Sequence, residues 1–303
     1  MLMDTEIIKY VGLQLYQTQY LKELKRYWVF QVRCRTHERE IQDLLDFFAA
    51  TPLRQKMLRG TPSFLEQVTR SFFYKGSVFQ DRVSLVKNHL LILENYFKPE
   101  LLEELYVKNK PVVLWQEDYE GQSLRMELYF HGGQRKEGCL SLMLYLGEEA
   151  LYQIMFWLGP EPDGKPALWI GALQGPQNGG EIIKALTKAF FGYRTKNLIF
   201  YGLRSLGHVL GLEHIYAVTN AGYYAMNHIR TDRKLKTDFG AFWEECEGVP
   251  YAKDERFYVM PVEEHRKDMS ELKPSKRAQH RRRFEKLDEL DAVFAKNLQS
   301  WLK

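Results

Sequence analysis

The sequence predicts an α+β fold: an N-terminal helical layer, a central, mostly antiparallel mixed sheet, and a long C-terminal amphipathic helix. Three observations carry that expectation. Apolar residues recur at helical spacing up to Pro111. From there the period becomes alternating and stays so to about Leu173. After Gly175 it returns to helical spacing.

In the first region, Ile41, Leu44, Leu45 and Phe48 form one helical stripe, and Leu85, Leu90, Leu93 and Phe97 a less regular one. Pro52, Pro62, Pro99 and Pro111 punctuate these helices. The region is rich in Lys, Arg, Tyr and Phe and reads as a helical layer with solvated charges. The sheet then starts at 112–115. Leu124, Met126, Leu128 and Phe130 face one way, and Arg125, Glu127 and Tyr129 the other. Gly132 and Gly133 turn the chain. Leu140, Leu142, Leu144 and Leu146 alternate with Ser141, Met143 and Tyr145. Tyr152, Ile154, Phe156 and Leu158 alternate with Gln153, Met155 and Trp157, and a further strand spans 168–173. Their short Gly, Pro and Asp connections allow only an antiparallel meander. Bulky residues on both faces call for helices over much of the sheet.

Ile182, Ile183, Leu186 and Phe190 mark a helix over 181–191. Thr195 reads as the N-cap of the next helix, which carries Ile199, Leu203, Leu206 and Leu210 on one face and stops at Gly211. A strand over 214–219 then pairs parallel to 168–173 through a right-handed crossover. Residues 257–260 form a last strand, and Phe284, Leu287, Leu290, Phe294, Leu298 and Trp301 line the C-terminal helix. The expected organisation is a helical region, 1–110, and an α+β core with the C-terminal helix, 111–303, in one compact unit.

With 303 residues, 45% of them hydrophobic and 27% charged, the chain can bury a core without staples. That excludes a disordered chain, a collagen and a small secreted scaffold. Its 43 Lys and Arg against 39 Asp and Glu leave a net charge of +4, which says little about partners. Cys34, Cys139 and Cys246 are scattered and odd in number, so neither a zinc site nor a redox dithiol is expected, and a reducing compartment fits. The N-terminus, with Asp4 and Glu6, lacks the pattern of a secretory leader. No apolar run approaches the ~20 residues of a spanning helix. A cytoplasmic protein is expected, with peripheral attachment to the inner membrane as an option and no transmembrane segment.

The segments IGALQGPQ (170–177), TKAFFGYRTKN (187–197), FGAFWEECEG (239–248) and PSKRAQHRRR (274–283) resemble the VirK/YbjX family of Gram-negative bacteria. The resemblance covers most of the chain, most strongly 165–290. It implies a link to virulence, to resistance against antimicrobial peptides and to outer-membrane or lipid A phenotypes. It carries no catalytic residue onto this chain. A second resemblance is architectural. The element order is similar to that of the GCN5-related N-acetyltransferases, where a glycine-rich turn after the fourth strand binds the acetyl-CoA pyrophosphate through backbone N–H groups at a helix N-terminus. It implies acyl-CoA as donor, and together with the VirK/YbjX resemblance an acyl transfer onto an envelope precursor. This chain departs from that pattern. Pro176 lacks an N–H, no glutamate stands in 168–173 as general base, and Asn227 stands where a tyrosine is expected.

Three sets of site residues follow. Gln174, Gly175, Gln177, Gly179 and Gly180, with Asn197, are the candidate donor contacts. The bland alternative is a tight strand-to-helix turn. Asn220, Tyr223 and Tyr224, near His228, are the candidate catalytic group at the carboxyl end of a parallel strand, and helix capping by Asn220 is the alternative. Lys276, Arg277, Arg281, Arg282 and Arg283 are the candidate anion-binding cluster, joined by a weaker patch of Arg230, Arg233, Lys234 and Lys236. The alternative is a solvated helix end, or pairing with Glu263, Glu264, Asp268 and Glu271. His208 and His214 lack metal-ligand spacing and read as structural. Two functions remain open. One is an acyltransferase-like enzyme with Tyr223 or Tyr224 as proton donor. The other is a non-catalytic accessory protein whose basic helix engages a phosphate-bearing molecule, an anionic lipid, nucleic acid or a protein.

Overall fold

The computed structural model describes residues 5–176, 179–227 and 238–303. Seven helices come first: α1 (Thr5–Leu15), α2 (Leu21–Thr36), α3 (Glu38–Ala49), α4 (Pro52–Gly60), α5 (Ser63–Thr69), α6 (Phe79–Tyr96) and a short α7 (Pro99–Leu102). A single π turn, Glu103–Val107, ends this layer. Local chemistry sets several of the boundaries. In α3 the predicted stripe of Ile41, Leu44, Leu45 and Phe48 is buried. Before α4, the Thr51 hydroxyl accepts the Arg54 N–H at 3.2 Å, and Pro52 takes the first turn, where no N–H is needed.

The meander follows as β1 (Val112–Tyr119), β2 (Gln122–Tyr129), β3 (Leu140–Leu146), β4 (Glu149–Pro160) and β5 (Pro166–Gln174), each antiparallel to the last. Glu120 and Gly121, both at positive φ, make the two-residue β1–β2 turn. Then come α8 (Gly180–Ala189), α9 (Thr195–Val209) and β6 (His214–Val218), which pairs parallel to β5. The chain finishes with α10 (Phe239–Glu245), β7 (Val249–Pro250), β8 (Phe257–Pro261) and α11 (Pro274–Gln299). Strand order across the sheet is β1-β2-β3-β4-β5-β6-β8-β7. The architecture is therefore α+β, with a mostly antiparallel mixed sheet and a long C-terminal helix. The two-residue edge strand β7 had no sequence signal.

Helix α9 ends as expected. Gly211 sits at φ +64° with its N–H on the His208 carbonyl, and the Leu212 N–H reaches the Gly207 carbonyl, both at 2.9 Å. Its start corrects the expectation. Arg194 occupies the N-cap, while Thr195 lies inside the first turn, fully buried, with its hydroxyl unpaired among the described residues. An extended Arg194, bonded from Nε to the Asn197 side chain at 3.2 Å, takes the place that a threonine was expected to fill.

Helix α9 covers the sheet face that carries Met126, Leu142 and Ile215. Helix α6 lies over the opposite face, where Trp157, Trp169 and Tyr216 pair across β4, β5 and β6. Both faces are thus dry, and β3 is buried along almost its whole length. Helix α11 packs on α9 and β1 through Leu287, Leu290, Phe294 and Leu298.

Candidate functional site

The β5–β6 pairing ends at Ile170 and Ala217, but β5 continues to Gln174 against β4. Past that point the two parallel strands lose their pairing, the usual setting of a site in a sheet with parallel strands. The segment 135–138 crosses there. A Cβ at Gly171 would stand 1.8 Å from the Glu137 carbonyl oxygen, so only glycine lets the segment lie this close. The crossing brings in Glu137, a side chain of 4% exposure. Its Oε1 accepts the Tyr223 hydroxyl at 2.7 Å and the Gln174 Nε2 at 3.2 Å.

Burial raises the Glu137 carboxyl above the ordinary carboxylate range, against the pull of the Tyr223 bond, Lys136 and Gln174. Burial also raises the Tyr223 hydroxyl, helped by the Glu137 charge. The pair thus joins a buried acid with a raised pKa to a hydroxyl that is itself partly exposed.

Tyr223 is held on several sides. Its backbone bridges Tyr74, the Lys75 N–H donates to the Gly222 carbonyl at 2.8 Å, and the ring packs on Phe239. Next to Tyr74, Phe73 sits at φ +70° in a γ-turn closed by the Tyr74 N–H on the Phe72 carbonyl at 3.0 Å. A buried aromatic there stores about 1–3 kcal/mol of strain. The Phe73 N–H donates to the Lys136 carbonyl at 2.8 Å, which ties the strained turn to the segment that carries Glu137.

The other predicted residues distribute differently. Tyr224 packs edge-on against Phe72 and Tyr223. Asn220 organises the start of α10: its Oδ1 accepts the Phe239 N–H at 2.7 Å, and its Nδ2 donates to the capping carboxylate of Asp238 at 2.9 Å. Gly175 lies against the Tyr152 ring, and Gly179, the N-cap of α8, against Pro176. Gly180 has open space where a Cβ would stand. Asn197 bonds Arg194, Glu245 and Cys246, outside the Glu137 hydrogen bonds. Gln177 lies outside the described residues, as do His228, Arg230, Arg233, Lys234 and Lys236.

In α11 the basic cluster divides. Arg283 and Gln279 both donate to the Phe191 carbonyl, at 2.8 Å from Nη2 and 2.9 Å from Nε2. Arg277 bonds the Leu272 carbonyl and Lys276 the Gln279 side chain. Arg281 and Arg282 are exposed and make no hydrogen bond or ion pair among the described residues. Glu263, Glu264, Asp268 and Glu271 form no hydrogen bond or ion pair with the cluster. They face His208, Tyr193, Ser270 and the Asp268 N–H instead.

A groove of about 420 Å³ lies elsewhere, between α6 and the β4–β5 hairpin. Asn88, Ile92, Asn95, Tyr96, Pro160 and Pro166 line it, and it contains none of the predicted site residues.

Relatives share this chain's sequence over long stretches. It is 34% identical over 183 residues to the Escherichia coli "Uncharacterized protein YbjX", covering 58% of this chain and 54% of that relative, so the match spans about half of the relative's length. A Haemophilus influenzae "Uncharacterized protein" is 24% identical over 268 residues, which is 87% of this chain and 84% of the relative. A second Haemophilus influenzae protein is 28% identical over 134 residues, 44% of each. The model of the family described as "Protein of unknown function (DUF535)" matches residues 19–296, in line with the VirK/YbjX resemblance, and the chain belongs to that family.

Proposed function

We propose that this chain is an acyl-transfer enzyme of acetyltransferase-like build, with Tyr223 and Glu137 handling the proton. The observation that carries the reading is the 2.7 Å bond from Tyr223 to the buried Glu137 at the carboxyl end of the parallel pair β5 and β6. It supplies the acid–base group that the sequence of β5 lacks. Tyr223 gives its proton to the leaving thiolate, and the proton released by the acceptor as the new acyl bond forms returns to the tyrosine, with the buried Glu137 carboxyl holding that oxygen in place. The first N–H groups of α8, beside the open Gly180, suit a donor phosphate. An acyl-CoA bound there supplies an activated acyl group. The acceptor is an amine or hydroxyl of an envelope precursor, a choice supported by the VirK/YbjX resemblance.

The test is thermal unfolding of the full chain with acetyl-CoA, longer acyl-CoAs and inorganic phosphate. A ligand at about 100 times its dissociation constant raises the melting temperature by several degrees. Gly180→Val, which fills open space, folds normally and loses that shift. Absence of any shift with acyl-CoA in the parent chain removes the proposal.

A second reading, an accessory protein that binds phosphates through α11, is favoured by one observation. Arg281 and Arg282, about two turns into α11, stand exposed and unpaired among the described residues.

A further inference from the structure

The N-terminal helix pair exposes far more apolar surface than its share. Of the fourteen large hydrophobic side chains exposed among the described residues, eight lie between Ile7 and Val32. Exposed apolar residues scattered singly need no explanation, but a cluster marks an interaction surface. The charges of this region were expected to form an ordinary solvated face. In α2 the exposed apolar residues interrupt them in a regular way.

Phe30, Gln31 and Cys34 point inward from α2. At about 100° per residue, Leu21, Trp28 and Val32 fall within about 40° of one another on the opposite side. They are 86%, 56% and 55% exposed, and Val29 extends the ridge. By the same wheel Arg35 borders the ridge on one flank, and Lys25 and Lys22 on the other. The helix carries five cations and one acid, Glu23, whose carboxylate is held by Arg26 at 2.5 Å. Arg33 turns back to the Thr69 carbonyl at 3.0 Å. Lys22, Lys25 and Arg35 remain beside the ridge without a partner among the described residues.

We propose that α2 docks the protein on an anionic bilayer, lying in the membrane plane. Leu21, Trp28 and Val32 enter the boundary between headgroups and acyl chains, and Lys22, Lys25 and Arg35 meet the lipid phosphates. An apolar ridge bearing a tryptophan and rimmed by cations has the chemistry of an interfacial helix. Charge complementarity selects this occupant. A second copy seated on the same ridge would set like cations against one another. No helix among the described residues is long and apolar enough to cross a membrane, which fits in-plane attachment. The proposal is independent of the acyl-transfer reading.

The test is co-sedimentation of the full chain with vesicles of phosphatidylcholine alone and with about 30% phosphatidylglycerol, at low salt and at about 0.5 M salt. Binding is expected only to the anionic vesicles, weakened at high salt. It should fall at least about tenfold in the double variant Leu21→Ser, Trp28→Ser, whose unfolding curve matches the parent's because both side chains are exposed. Arg281→Glu with Arg282→Glu should leave it unchanged. No binding to anionic vesicles overturns the proposal. So does binding lost in the α11 variant but kept in the α2 variant. Sedimentation velocity covers the rival occupant: a parent dimer that the α2 variant dissociates, without vesicle binding, assigns the ridge to self-association and also overturns it.

Discussion

Tyr223 donates its hydroxyl proton to Glu137 across 2.7 Å, and 86 residues separate the two in the chain. The carboxylate that accepts it is almost wholly buried, so the bond has two roles that substitutions can separate. Tyr223→Phe leaves that oxygen with Gln174 alone and should cost about 1–3 kcal/mol at neutral pH. Glu137→Gln keeps an oxygen that can accept both bonds and removes a buried charge. The folded-state pKa of Glu137 is raised, so its contribution to stability falls as pH climbs from the ordinary carboxylate range through the raised value. The Gln variant should therefore match or exceed the parent's stability at pH 7 and lose that pH dependence. Both variants should abolish acyl transfer. Urea titrations at pH 4.5 and 7, beside the activity measurement, check this. A Gln variant that is destabilised more at pH 7 than at pH 4.5 contradicts it.

His89 gives a second pH dependence with a different sign. The Leu158 N–H donates to its Nδ1 at 3.0 Å, so the ring proton sits on Nε2 and points at the Tyr106 hydroxyl 2.8 Å away. The Tyr106 hydroxyl in turn donates a hydrogen bond to the Cys139 carbonyl at 3.0 Å. Complete burial pushes the imidazole down to about 3. The folded ring stays neutral while the unfolded chain binds a proton below about 6.5, so stability drops as pH falls from there toward 3. This ring alone should cost about 2 kcal/mol between pH 7 and pH 5. His89→Gln should be less stable at pH 7, and its loss between pH 7 and pH 5 should be smaller by that amount. Equal losses in parent and variant would show that the ring titrates normally.

The sheet was legible because apolar residues keep a period of two within its strands, Leu124, Met126 and Leu128 in β2 and Leu140, Leu142, Leu144 and Leu146 in β3, and the crossover because Gly211 stops a helix before a β-rich segment. Asn220, Tyr223 and Gln174 could be named because they end or follow strands. Glu137 could not. It is a lone acid in a short segment between β2 and β3, with no periodicity, and only the close pass over Gly171 brings it to Tyr223. The Arg194 N-cap escaped for a related reason: Thr195 has the better capping chemistry, but packing drew it inside the helix. The exposure of Trp28 was hidden as well, because a helical stripe does not reveal which of its faces the fold covers.

The basic cluster in α11 contains two kinds of arginine, and stability separates them. Phe191 occupies the C′ position of α8 at φ +51°, a place that favours glycine. The Gly192 N–H reaches the Thr187 carbonyl at 2.7 Å and the Phe191 N–H the Lys188 carbonyl at 3.1 Å, which closes the helix end. Arg283 then donates from Nε and Nη2 to the Phe191 carbonyl, a cation at the negative end of the helix dipole. Arg283→Ala should cost about 1.5–3 kcal/mol, the range for hydrogen bonds from a charged group. Arg281→Glu with Arg282→Glu should stay within about 0.5 kcal/mol of the parent, because neither side chain has a partner to lose. Any salt-sensitive affinity of α11 for inorganic phosphate or nucleic acid should vanish in that double variant. Urea midpoints at neutral pH, with filter binding at two salt concentrations, read both effects. A double variant that unfolds early would mean these arginines hold the fold as Arg283 does, and the cluster would then have no free cations to offer a ligand.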